Sequence, residues 1–130
     1  VRAGVLTASL LAVLCLGSAC SSSKCESVCE DANACEVNER PADVECTPYC
    51  EDVEAFQARA VQAGQEDCNG LFEAHLDCWE SNSSQICSKE FTGCTEAATA
   101  WRNCMGTYCK TEAGKTDVNC SGGNTRLLPF

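Results

Sequence analysis

The chemistry available to this chain is mostly sulfur. Fourteen of its 130 residues are cysteine. Twelve stand at 25, 29, 35, 46, 50, 68, 78, 87, 94, 104, 109 and 120; Cys15 and Cys20 precede them. Thiols can cross-link, ligate metal, exchange electrons or carry an acyl group. A dithiol oxidoreductase places two residues between its cysteines, so that one thiol is acidified and the other resolves the mixed disulfide. No pair here has that spacing; Cys104 and Cys109 have four residues between them. Cys25, Cys29, Cys46 and Cys50 could gather Zn²⁺ or Cu⁺, but only as thiolates, which an oxidising compartment removes. An even set of twelve in a small exported domain reads instead as six disulfides. No cofactor and no metal are expected.

The remaining reactive side chains make no catalytic constellation. His75 is the only histidine, and it falls on an apolar stripe with Cys68 and Phe72. That placement suits packing better than base catalysis, which needs a nucleophile and an orienting acid beside it. Trp79, Trp101 and Tyr108 fall at core spacing. The carboxylate pairs Glu30-Asp31, Glu51-Asp52 and Glu66-Asp67 read as solvated helix ends rather than a glycosidase pair, which a domain this small rarely encloses in a cleft. Asp31-x-Asn33 lacks the glycine and terminal glutamate of a calcium loop. The chain is expected to be no enzyme.

Cys20 has a different setting. An apolar run, 5–16, leads to Gly17-Ser18-Ala19-Cys20 and then to polar Ser21-Ser22-Ser23-Lys24. A charged start, a short apolar segment and small residues before a cut make a secretory signal over 1–19. The run is shorter than the roughly 20 residues needed to span a bilayer. This layout resembles the bacterial lipoprotein signal, whose small-residue lipobox ends in the cysteine that receives diacylglycerol. The match lies in the small residues and the cysteine; Gly17 stands where that family usually has leucine, with Leu16 one place earlier. The resemblance implies cleavage before Cys20, lipidation of Cys20, and attachment to the cell envelope. Ser21 in that family is compatible with outer-membrane delivery. Plain secretion by ordinary signal-peptidase cleavage is the alternative. Cysteine parity supports lipidation, because acylating Cys20 leaves an even twelve.

Composition fits an exported, cross-linked domain. Residues 20–130 hold only fifteen Leu, Ile, Val and Phe, and eight basic against nineteen acidic side chains. So few apolar residues with so much net charge would ordinarily leave a chain disordered. Disulfides change that balance, each contributing about 2–4 kcal/mol in a small secreted domain. The scattered basic residues exclude nucleic acid as a partner, because phosphate binding needs clustered Lys and Arg. The partners expected are a membrane, through the lipid, and an unidentified protein.

The elements that must hold the cysteines follow from spacing. Cys68/Cys78 and Cys94/Cys104 each enclose nine residues; Cys25/Cys29 and Cys46/Cys50 each enclose three. Both gaps keep two cysteines near one helix face. Cys68, Leu71, Phe72, His75, Cys78, Trp79 aligns with Cys94, Ala97, Ala98, Trp101, Cys104, Met105 as an amphipathic stripe, with Thr92 a candidate N-cap for the second helix. Ser81-Asn82-Ser83-Ser84 breaks the chain between them. In an antiparallel pair, facing residues keep a constant index sum. Cys68/Cys104 and Cys78/Cys94 share 172, and Cys25/Cys50 and Cys29/Cys46 share 75. Thr47-Pro48 reads as N-cap and first helical residue, placing Cys46 outside its helix. Cys50, Val53, Phe56 or Gln57, and Ala60 or Val61 then face inward as far as Gly64, a cap or kink through which helix 48–63 runs into helix 66–80. No spacing selects among pairings of Cys35, Cys87, Cys109 and Cys120; Cys35–Cys87 and Cys109–Cys120 are a trial assignment.

The nine-spaced hairpin, over 68–104 alone, resembles the coiled-coil-helix-coiled-coil-helix family, and the three-spaced set resembles small helical-hairpin peptides. Both resemblances imply architecture and no function. The fold expected is all-α, built of small disulfide-rich helical hairpins with three to four helices. Its parts are a signal peptide (1–19), a lipidated N-terminus and tether (20–24), a stapled helical domain (25–110) and a flexible C-terminal tail (111–130). The whole resembles small cysteine-rich lipoproteins of Gram-negative bacteria. A secreted disulfide-rich inhibitor or antagonistic peptide is the alternative function, with an exposed loop at 36–45 or 81–86 as its contact.

Overall fold

The computed structural model describes residues 19–35, 44–88 and 90–127, with side chains in the first segment from Lys24 onward. Residues 1–18, including Cys15 and nearly all of the expected signal peptide (1–19), lie outside these, as does most of the expected contact segment 36–45. Four helices carry the fold: α1 (Ala19–Asn33), α2 (Cys46–Gln62), α3 (Asn69–Ser81) and α4 (Thr95–Cys109). A one-turn helix α5 (Glu112–Lys115) and a two-stranded antiparallel ribbon, β1 (Cys120–Ser121) with β2 (Asn124–Thr125), complete it. The protein is a small disulfide-rich helical fold, with the ribbon its one departure from helix among the described elements.

α1 pairs with α2 and α3 pairs with α4, making two hairpins. Pro48 is the third residue of α2, where its missing N–H would have had no partner inside the helix, so the helix begins ahead of it. Cys46 is therefore the first residue of α2 rather than the residue before the cap. Cys50, Val53, Phe56, Gln57 and Ala60 form the buried face of α2, while Val61 turns to solvent. The amide of Gly64 donates to the Val61 carbonyl at 2.9 Å and that of Gln65 to the Ala60 carbonyl at 3.0 Å. This reciprocal pair needs a left-handed residue, and Gly64 supplies it at φ +80°. The chain accordingly stops at Gly64 and restarts at Asn69; no bent helix runs from 48 to 80. The later start also corrects the expected 66, because Cys68 acts as the N-cap of α3.

α3 buries Phe72, His75, Leu76 and Trp79 and leaves Leu71 partly exposed. Its C-cap Asn82 donates its side-chain amide to the Cys78 carbonyl at 2.7 Å, closing the helix at the polar break. α4 begins after Cys94, which holds the cap position in place of Thr92 and makes no side-chain cap bond. α4 is the hub of the core. The Trp101 ring lies 5.2 Å from Phe72 of α3, and its indole N–H donates to Gln57 Oε1 of α2 at 3.0 Å. Tyr108 meets Phe56 of α2 edge-on at 5.7 Å. Trp79, Trp101 and Tyr108 are all core.

Two expected loose ends are structured. Residues 20–24 lie within α1, and Lys24 bonds α3 through Asp77 at 2.5 Å and Glu73 at 3.4 Å. Residues 112–127, expected as a loose tail, form α5 and the ribbon against α4. The tight approach is made at Gly114, where an added Cβ would meet the Tyr108 carbonyl oxygen at 2.0 Å. Thr111 caps α5 by accepting from the Gly114 amide at 3.0 Å.

Two outcomes follow from this packing. Complete reduction should abolish the helical circular dichroism signal at 222 nm, because the apolar core alone is small; an unchanged spectrum would contradict that dependence. Gly114→Ala should undock α5 and cost about 1–3 kcal/mol by urea titration, the usual penalty of overpacking against rigid neighbours.

Candidate functional site

All twelve cysteines from Cys25 onward are paired. α1 and α2 are joined by Cys25–Cys50 and Cys29–Cys46, and α3 and α4 by Cys68–Cys104 and Cys78–Cys94. Cys35–Cys87 links the segment after α1 to the turns between α3 and α4. Cys109–Cys120 links the end of α4 to β1. Cα separations run from 5.1 to 5.9 Å, inside the range a relaxed bridge occupies. Each hairpin pair shares its index sum, 75 or 172, so two rungs fix the antiparallel register twice over. Cys68 and Cys94 are the N-caps of their helices, so each nine-residue gap spans from cap to body.

The four sulfurs at 25, 29, 46 and 50 that would have held a metal are consumed in two of these bridges. Among the described residues no group of three or more His, Cys, Asp or Glu is arranged to hold a metal ion. His75 is fully buried between Phe72 and Trp79, with ring centroids 6.3 and 6.0 Å away. The carboxylate pairs Glu30-Asp31, Glu51-Asp52 and Glu66-Asp67 are exposed, on or beside three different helices. Cys20 is the second residue of α1.

The structure also assembles a polar cluster that no sequence pattern marks. A cleft of about 310 Å³ is lined by Arg59, Tyr108, Ala113, Thr116, Asp117 and Val118. At its base the Asp117 carboxylate, 3% exposed, takes two bonds from Arg59: Nε to Oδ2 at 2.7 Å and Nη2 to Oδ1 at 3.0 Å. Tyr108 donates its hydroxyl to Oδ2 at 2.9 Å, and the Asn119 amide donates to Oδ1 at 2.9 Å. The Arg59 guanidinium also lies 5.8 Å from the centre of the Phe56 ring. Burial by itself pushes the Asp117 carboxyl up; the bonds from Arg59, Asn119 and Tyr108 outweigh it and hold the acid below its ordinary pKa. Tyr108 is raised above its ordinary value, first by burial and then by Asp117.

A carboxylate with four donors committed to it and a depressed pKa is a weak base with no lone pair turned to a substrate. The cluster therefore acts as a clasp. It ties the last turn of α2 to α4 and to the loop before the ribbon, across 58 residues of sequence. Its two charged members, Arg59 and Asp117, sit on unremarkable stretches, and only their folded proximity identifies them. No family model, curated protein or solved structure matches the chain.

Because the folded pKa of Asp117 lies below the unfolded one, its stabilisation is complete above the ordinary carboxylate value of about 3.9 and fades as pH falls through the folded value. Asp117→Asn should cost about 1–3 kcal/mol at pH 7. The gap between wild type and variant should narrow as urea titrations are repeated towards pH 2. A gap independent of pH would contradict the assignment.

Proposed function

We propose that this chain is an envelope lipoprotein: an exported module, anchored through acylated Cys20, whose rigid cross-linked surface serves a structural or binding role. The observation that carries the reading is the pairing of all twelve cysteines beyond Cys20. Cytosolic thiols are kept reduced, so six bridges in one small domain speak for an oxidising compartment. Cys20 stands outside that framework, directly after small residues and an apolar run, where acylation is its natural chemistry. A diacylglyceryl group with a further N-acyl chain, such as palmitate, would give the several hydrocarbon chains that stable attachment requires. The depth of cross-linking explains why so acidic a chain with so little aliphatic content can present a fixed surface at all.

Intact-mass spectrometry and detergent phase partitioning test the reading together. The expected product begins at Cys20, carries the mass of its lipid, and enters the detergent phase; Cys20→Ser should send it to the aqueous phase. Wild-type protein in the aqueous phase with an unmodified N-terminus would reject the anchor and favour the secreted inhibitor or antagonist instead.

A further inference from the structure

The six bridges differ in what they join. Four staple one hairpin each, and Cys109–Cys120 fastens the ribbon to α4. Cys35–Cys87 joins the α1/α2 hairpin to the α3/α4 hairpin, its partners standing 52 positions apart in sequence. Cys87 also differs in setting. It is exposed, whereas the other eleven bridged cysteines are buried or half-buried. It ends a run of turns held by local bonds, Gln85 to Asn82 at 2.8 Å and Ser88 to Gln85 at 2.9 Å, with no helix or strand around it.

We propose that Cys87 is a thiol-exchange site that takes a dithiol, and that opening Cys35–Cys87 uncouples the two hairpins without unstapling either. Exchange requires a thiolate to reach a disulfide sulfur, so access decides which bridge reacts first. A thiolate of the dithiol attacks Cys87 Sγ; a mixed disulfide forms there, the Cys35–Cys87 bond breaks, and Cys35 leaves as a thiolate that takes a proton from water. The dithiol's second thiolate then attacks its own partner sulfur, closing to a disulfide and releasing the Cys87 thiolate. The protein bridge gains two electrons and the dithiol loses two. Attack at the other end is hindered, because Cys35 is 6% exposed with its sulfur 3.7 Å from the Asp31 carbonyl oxygen.

After this step five bridges remain. The hairpins stay joined by the connector around Gly64 and by non-covalent contacts, among them Lys24 with Glu73 and Asp77, Gln57 with Trp101, Phe56 with Tyr108, and Arg59 with Asp117. The product is a loosened but still helical protein.

The test uses the oxidised full-length protein, graded dithiothreitol, rapid alkylation and peptide mass mapping. Cys35 and Cys87 should be labelled at least about tenfold faster than any other bridged cysteine, as expected when access sets the rate, with the helical circular dichroism signal retained at that stage. The double variant C35S/C87S should keep five bridges and the helical signal and lose the fast phase. Another bridge opening first, all six opening together, or helicity collapsing with the first bridge would overturn the proposal. The readout is alkylation at 35 and 87, so it stands or falls independently of whether Cys20 carries lipid.

Discussion

Two cross-links per hairpin are the constraint on which the rest of this structure depends. One rung between antiparallel helices fixes a point of contact; a second fixes the register, because both must satisfy the same index sum. With register fixed, the inward stripe of each helix follows. Cys50, Val53, Phe56 and Ala60 on α2, and Phe72, Leu76 and Trp79 on α3, face the interior as a consequence. The apolar content of this chain would not settle those choices alone. Fifteen aliphatic and phenylalanine side chains across residues 20–130 bury too little surface to outweigh the ordering of so many residues. Cross-links act on the other side of that balance, by restricting the unfolded chain.

Between the hairpins the logic changes from covalent to side-chain packing. α4 contributes Trp101, Met105 and Tyr108, all buried; Trp101 meets both α2 and α3, and Tyr108 meets α2. A buried polar contact between hairpins, Trp101 with Gln57, satisfies the indole N–H in the interior and favours one arrangement of α2 on α4. The clasp of Arg59, Tyr108 and Asp117 extends the same interface to the ribbon. Here the acid is buried and the cation half-exposed, so the ion pair keeps its hydrogen bonds without the full desolvation of both partners.

The hairpins were legible in the sequence because equal gaps between cysteines carry geometry. Helix ends were less so. Thr92 has the right chemistry for an N-cap, but Cys94 is drawn to that position by its bridge to Cys78, and the cap gives way to the cross-link. Pro48 suggested the first helical residue, yet any position of the first turn tolerates a missing N–H, and the bridge at Cys46 pulls the start two residues earlier. Leu76, at the centre of the α3 face, was displaced from the expected stripe by Leu71, because a 3.6-residue period allows either until the partner helix is placed. Arg59 and Asp117 were not legible at all. Ion pairs across 58 residues leave no local pattern, and the tail they fasten showed only Cys120 as its point of attachment.

The distribution of loop lengths separates the bridges once more. Those that staple α1 to α2 and α3 to α4 close loops of 16 to 36 residues, while the inter-hairpin bridge closes 52. Loop closure grows only slowly with length, so 52 against 16 costs about 1 kcal/mol more. Length therefore sets a mild preference for the hairpins to close first. Geometry makes it stronger. Cys35 and Cys87 lie outside the helices, and nothing local brings them together; they meet when α1 has docked on α3 and α2 on α4. Each hairpin must then possess its own register before the last bridge can form, and that requirement explains why both carry two rungs rather than one.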